Sequence, residues 1–212
     1  MKKLALAIAT STALLAASSA AMAHQAGDIF VRGGPILVVP NTDTHNYAGN
    51  KLQYDFDVNS NAQLGLTGTY MVTDNIGVEL LAATPFSHEI KQARLGTIAK
   101  TKQLPPSLYV QYYFLNADSP ARPYVGAGLN YTTFFGEKEK LAGLTDLKLK
   151  DSWGPAVNAG IDIKLTDKLF FNTSIWWAKI KTKATFNLAG QPQEARVTLD
   201  PTVFFVGLGY KF

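Results

Sequence analysis

Three histidines, His24, His45 and His88, are the only imidazoles in the chain, and there is no cysteine. Acyl-transfer chemistry of the Ser/His/Asp kind needs a base beside its nucleophile. Ser87 and Ser107 are candidates to fold close to His88, yet nothing in the spacing singles out either. A lipid hydrolase or acyltransferase is the enzyme such a set would serve, and no catalytic residue is assigned to it. The histidines show no metal-ligand spacing, and without cysteine there is no thiol nucleophile, thiolate metal site or disulfide. Gly126-Ala-Gly128 lacks the third glycine of a dinucleotide-binding turn and lies in a strand pattern, so it implies close packing and not phosphate binding. No cofactor and no metal are expected. The basic residues form no stripe with interleaved aromatics, which argues against a nucleic-acid partner.

The elements that hold these residues begin after a leader. Lys2 and Lys3 precede a short apolar stretch, and Ala21-Met22-Ala23 places small residues at both recognition positions of a cleavage site. An anchoring helix is the alternative, but the stretch is too short to span and is interrupted by Thr10, Ser11 and Thr12. Residues 1–23 are therefore expected to be a cleaved signal peptide, with 24–212 the mature chain beginning at His24. Loss of Lys2 and Lys3 leaves 18 basic against 16 acidic side chains, a net charge of +2.

Beyond the leader no apolar run approaches the length of a helical span. A period of two is present instead. Phe204, Val206, Leu208, Tyr210 and Phe212 alternate with Phe205, Gly207, Gly209 and Lys211, the pattern of a strand with one face in lipid and an aromatic at its rim. Upstream, Ala62, Leu64, Leu66, Tyr70 and Val72 oppose Asn61, Gln63, Thr67 and Thr69; after Thr73-Asp74-Asn75, Ile76, Val78 and Leu80 oppose Gly77, Glu79 and Leu81. Leu108 to Phe114, Val125 to Tyr131, Trp153 to Ile163 and Leu169 to Trp177 repeat the theme. With Ile29 to Val39 first and Val197 to Phe212 last, the strands number eight. An even number suits a closed antiparallel transmembrane β-barrel, because an open sheet would leave unpaired backbone groups in hydrocarbon. The fold class is all-β, and the location implied is a bacterial outer membrane.

Short turns near Asp74, Asp118 and Asp167 are expected at the periplasmic side, and longer loops at about 41–60, 87–101, 135–151 and 187–196 outside. Glu137 to Lys150 has the spacing for a helical turn, and its four lysines suit either lipid phosphates or simple solvation.

Several stretches carry a family resemblance: Gln63 to Thr67, Asp74-Asn-Ile-Gly-Val-Glu-Leu-Leu-Ala-Ala-Thr-Pro-Phe86, Leu104 to Pro106, Arg122 to Phe135, and Leu147 to Gly154. Together they resemble the OmpW family of outer-membrane proteins. The resemblance implies an eight-stranded barrel with a narrow, largely apolar lumen that passes small hydrophobic molecules, some members serving as bacteriocin receptors. It also implies a hydrophobic constriction at Leu81 and Trp176, both of which the alternation turns inward together with Val203 and Phe205.

A barrel of eight strands has room for its own side chains or one small ligand. Two readings follow: a conduit for small hydrophobic solutes, or a plugged structural barrel whose loops recognise a partner such as a bacteriocin or phage. Glu79, Asp162 and Lys164 share the lumen parity and are expected to form internal ion pairs that close the periplasmic half. Pro40, Pro85, Pro105, Pro106, Pro155 and Pro201 each remove a ladder donor towards the outer ends of strands. They either end strands at loops or, at Pro155 and Pro201, mark a lateral opening into the surrounding lipid.

Overall fold

The computed structural model describes residues 24–46, 56–92 and 95–212; of His45 and Asn46 it describes the backbone. The expected leader lies outside these residues. Eight strands close the membrane ring: β1 (Ile29–Val39), β4 (Asn61–Met71), β5 (Ile76–Ala83), β8 (Ser107–Tyr113), β9 (Ala121–Glu139), β11 (Ser152–Lys164), β12 (Leu169–Ala178) and β15 (Thr202–Lys211). Each pairs antiparallel with its neighbours in the order β11-β12-β15-β1-β4-β5-β8-β9, and β9 pairing with β11 closes the cylinder.

Alternation fixes the register, because a slip of one residue would exchange the two faces. Leu64, Leu66, Tyr70, Leu80, Leu108, Val110, Val125, Leu129, Trp153, Val157, Phe204, Val206 and Leu208 all stand exposed on the outer surface. So continuous an apolar belt is untenable in water and is the lipid-facing band of a spanning barrel. The intervening residues are buried in the lumen. Two of the short turns use one device: the Thr73 hydroxyl accepts from the Asn75 and Ile76 amides at 3.2 and 2.9 Å, and Thr166 accepts from Lys168 and Leu169 at 3.3 and 2.9 Å. A threonine so placed satisfies the turn's free amides from within the sequence.

The outer half departs from the expectation of loops. Seven further strands extend the wall beyond the membrane ring: β2 (Asp43–Asn46), β3 (Phe56–Val58), β6 (Phe86–Gln92), β7 (Gly96–Leu104), β10 (Leu144–Leu149), β13 (Lys181–Leu188) and β14 (Gln191–Thr198). Strands β9-β7-β6-β3 form one side and β10-β13-β14-β2 the other. Side chains tie the sides together: Glu139 and Glu137 accept from the Leu147 and Leu149 amides at 3.0 and 3.4 Å, and the Phe56 amide donates to the Thr44 hydroxyl at 3.3 Å. The segment Glu137 to Lys150 is the end of β9, a turn with Gly143 at positive φ, and β10; no helical turn forms there. The expected last strand, Val197 to Phe212, is broken at Leu199 to Pro201 into β14 and β15. Above the membrane the solvated face is outside, so Lys181 and Lys183 point out while Thr182, Ala184 and Phe186 fill the interior.

Candidate functional site

The lumen has three levels. At the periplasmic end Arg32, carried inward beside Phe30 on β1, spends all five guanidinium N–H groups on protein. Nε and Nη2 donate to Asp162 at 3.0 and 2.6 Å, Nη1 to Glu79 and Thr69 at 2.5 and 3.1 Å, and Nη2 also to the Tyr113 hydroxyl at 2.8 Å. The Glu79 carboxylate further accepts from Gln111 and Asn158 at 2.8 and 3.2 Å, and Asp162 accepts from Asn172 at 2.7 Å. Beneath them the His24 ring stacks on Phe30 at 4.1 Å between centroids, its Nε2 lies 2.9 Å from Asp162, and its carbonyl accepts from Arg122 at 2.6 Å. The network fills the lumen at this level, with His24 Nδ1, Arg122 Nε and Asn158 Oδ1 as its buried atoms lacking a partner among the described residues.

Glu79 and Asp162 are thus paired in the lumen, as their parity requires, but their partner is Arg32. Lys164 is a correction: it meets Asp167 at 3.0 Å across the periplasmic turn and takes no part in the cluster. Arg32, Arg122 and His24 went unrecognised in the sequence. The available signal was parity, since Arg32 lies two residues from Phe30 and Arg122 two from Tyr124, all four buried.

Above the network is an apolar layer. Leu81, Trp176 and Phe205 are buried, with the Trp176 and Phe205 rings 5.4 Å apart, and Ile36 and Tyr109 complete the ring. A cavity of about 30 Å³ adjoins it, lined by Leu81, Trp176, Val203, Gln103, Pro105 and Pro201 among others. The four inward residues singled out in the sequence therefore meet at one level, and Val203 is only partly buried there.

The third level is an outer vestibule of about 80 Å³ between the two extracellular sides, walled by residues such as Phe56, Ile98, Phe134, Leu144, Phe186 and Val197. His88, Thr101, Gln103 and Thr182 supply its polar atoms, and Gln103 lines both this vestibule and the cavity below. His88 is held by the Asn59 carbonyl at 2.8 Å and by Gln103 at 3.1 Å. Ser107 donates to the Pro105 carbonyl at 3.2 Å and accepts from Asn130 at 2.9 Å. Ser87 points outward. Neither hydroxyl is hydrogen-bonded to His88.

The ladder is interrupted at three proline-marked places. At Pro155 the Lys179 amide donates to the proline carbonyl at 2.9 Å, and Gly154 lets the strand approach the Lys179 carbonyl where a side chain would collide. At Pro201 the Ala178 amide reaches the proline carbonyl at 3.4 Å, and Leu199 donates to Ile180 at 2.9 Å. Between β5–β6 and β8–β7, pairing stops at Leu81 with Ser107 and resumes at Phe86 with Gln103, leaving Pro85, Pro105 and Pro106 between.

Comparison with known proteins places this geometry. Residues 25–212 match the model of the OmpW family. Outer membrane protein W of Vibrio cholerae serotype O1 is 51% identical over 211 residues, covering 94% of this chain and 96% of that protein. The crystal structure of the outer membrane protein OprG from Pseudomonas aeruginosa superposes with a TM-score of 0.83 at 41% identity, over 89% of this chain and 97% of that one. A more distant relative, the dibenzothiophene metabolism operon protein PahQ of Pseudomonas aeruginosa, is 30% identical over 162 residues, 74% of each chain. The apolar belt, the closed ring of eight strands and these relatives agree on a barrel that spans the outer membrane, and the chain belongs to the OmpW family.

Proposed function

We propose that the barrel admits small apolar molecules from outside and releases them sideways into the membrane. The observation that carries this reading is the contrast along the axis. Two cavities with almost wholly apolar walls lie above a network in which Arg32, Glu79, Asp162 and Arg122 fill the lumen. An apolar solute gains by leaving water for the vestibule, but the charged layer below offers it nothing, so the favourable continuation is lateral. Leu81 and Trp176, which line the lower cavity, form the constriction below the vestibule. The lower cavity reaches wall residues at Pro105 and at Pro201, where donors are missing. The break flanked by Pro85, Pro105 and Pro106 is the better exit, because Pro155 and Pro201 are bridged by backbone hydrogen bonds. A relative named for an operon of dibenzothiophene metabolism accords with an apolar cargo.

The test is uptake of a small apolar solute and a polar one of similar size into liposomes carrying the refolded barrel. The native protein is compared with Leu81→Ala and Trp176→Ala. Selective apolar uptake, faster once the constriction is trimmed, is the expected result. Uptake no faster than in protein-free liposomes, for all three proteins, overturns the conduit and transfers function to the extracellular hairpins as a recognition surface.

A further inference from the structure

We propose that the cavity shared by Gln103 and Trp176 recognises a hydroxyl group, so that the preferred solute is an apolar molecule bearing a neutral alcohol. The inference deepens the conduit reading and rests on it only for how the solute arrives.

Two polar atoms in this otherwise apolar region lack a partner. The first is the indole N–H of Trp176, a residue of the lower cavity's wall; the nitrogen itself is buried and has no acceptor among the described residues. The second is the amide oxygen of Gln103, and its orientation follows from hydrogen-bond chemistry. His88 Nδ1 faces the Asn59 carbonyl, an obligate acceptor, so the ring proton sits on Nδ1. Nε2 is then an acceptor, and only the amide NH₂ of Gln103 can serve it at 3.1 Å. The Gln103 oxygen is thereby fixed away from His88, and among the described residues nothing donates to it. Gln103 is itself only 3% exposed and lines both cavities, so its free acceptor stands where vestibule and constriction join.

A buried donor left without a partner costs more than a formed hydrogen bond gains, which is the position of the Trp176 N–H; the Gln103 oxygen is free but not enclosed. One acceptor and one donor along the same apolar passage therefore select a group that can donate and accept. A hydroxyl does both. An alkane does neither. A carboxylate can accept from Trp176 but meets the Gln103 oxygen with like partial charge. No lysine or arginine lines either cavity to neutralise it. His88, in the extracellular extension, offers no compensating charge, because burial holds its imidazole below the ordinary value and hence neutral. Ser107 and Asn130 are already engaged with each other and with the Pro105 carbonyl.

The experiment is a titration of the refolded, isotope-labelled barrel in lipid nanodiscs with 1-octanol, n-octane and octanoate at pH 8. The side-chain N–H signals of Trp176 and Gln103 are followed by NMR. Octanol is expected to shift both signals saturably and at lower concentration than octane, whose effect is confined to Trp176, while octanoate leaves both in place. Replacement of Gln103 by Met, which keeps the length and removes the amide, is expected to weaken octanol binding by about fivefold, the worth of one hydrogen bond. Equal shifts and affinities for octanol and octane in the native protein overturn the proposal, and that comparison needs no variant to fold. Selective octanol binding without liposome uptake would overturn the conduit and leave this inference standing. Uptake without hydroxyl selectivity would do the reverse.

Discussion

Arg32 grips Asp162 with two hydrogen bonds, Nε to Oδ1 at 3.0 Å and Nη2 to Oδ2 at 2.6 Å, across 130 residues of chain. The fork geometry is specific to a guanidinium. Arg32→Met leaves Glu79 and Asp162 buried without their cation and is expected to destabilise the barrel by about 3–5 kcal/mol, read as a lower urea midpoint in micelles. Arg32→Lys should recover only part of this, since an ammonium cannot serve both carboxylates, Thr69 and Tyr113 at once. Adding Glu79→Gln and Asp162→Asn to Arg32→Met should restore much of the loss. A triple variant no more stable than Arg32→Met would mean that packing, not charge pairing, holds the layer.

The membrane ring was legible because lipid enforces one rule on every strand: apolar out, at every second residue. Leu64, Leu108, Val157 and Phe204 announce their strands in this way, and on β9 Val125, Ala127 and Leu129 keep the outward face. Above the membrane the rule inverts. Lys181-Thr-Lys-Ala-Thr-Phe186 alternates as regularly, but with lysine outward and Thr182, Ala184 and Phe186 inward, so a search for lipid-facing residues passes over β13.

The site was half legible for a related reason. Parity turned Leu81, Trp176 and Phe205 to one lumen, and they meet there. It could not choose the partner of Glu79, because Lys164 and Arg32 both have inward character and only the closed ring brings Arg32 across to β5 and β11. The role of Gln103 depends on His88 and Asn59, a contact set by the β6–β7 hairpin, whose strands carry no lipid-facing alternation to announce them.

His88 gives the vestibule a pH dependence whose sign can be worked out. Its folded value lies below the ordinary imidazole value because of burial, so the unfolded hairpin takes up a proton more readily than the folded one. The stability of β6–β7 is therefore full above the unfolded value and declines as pH falls below it towards the depressed folded value. Amide exchange of β6 and β7, corrected for intrinsic rates, should show protection falling through mildly acidic pH in the native barrel. Protection should be independent of pH over that window in His88→Gln. The same slope in both proteins would assign it to another group.

Gly154 tests how tightly the wall is closed at Pro155. A Cβ there would collide with the Lys179 carbonyl. Gly154→Ala is thus expected to push the β12–β13 connection outward, to break the bond from the Lys179 amide to the Pro155 carbonyl, and to cost about 1–3 kcal/mol. The check is loss of protection at the Lys179 amide together with a lower unfolding midpoint. An unchanged midpoint and a protected Lys179 would show that the wall at Pro155 has slack, which would return it to consideration as the opening.

The exit itself can be locked. Ala83 and Pro105 line the lower cavity from the two sides of the break between Leu81–Ser107 and Phe86–Gln103. The chain has no cysteine, so Ala83→Cys with Pro105→Cys creates the only thiol pair. If solute leaves here, oxidation should bring apolar uptake into liposomes down to the protein-free rate, and reduction should restore it, with octanol binding inside the lumen kept in both states. Each single-cysteine variant controls for the loss of a side chain, and a chain with Pro105 replaced also regains one backbone donor, so its own rate sets the baseline. Uptake that continues at that baseline after complete cross-linking would move the exit to Pro201, the other proline-marked interruption that the cavity touches.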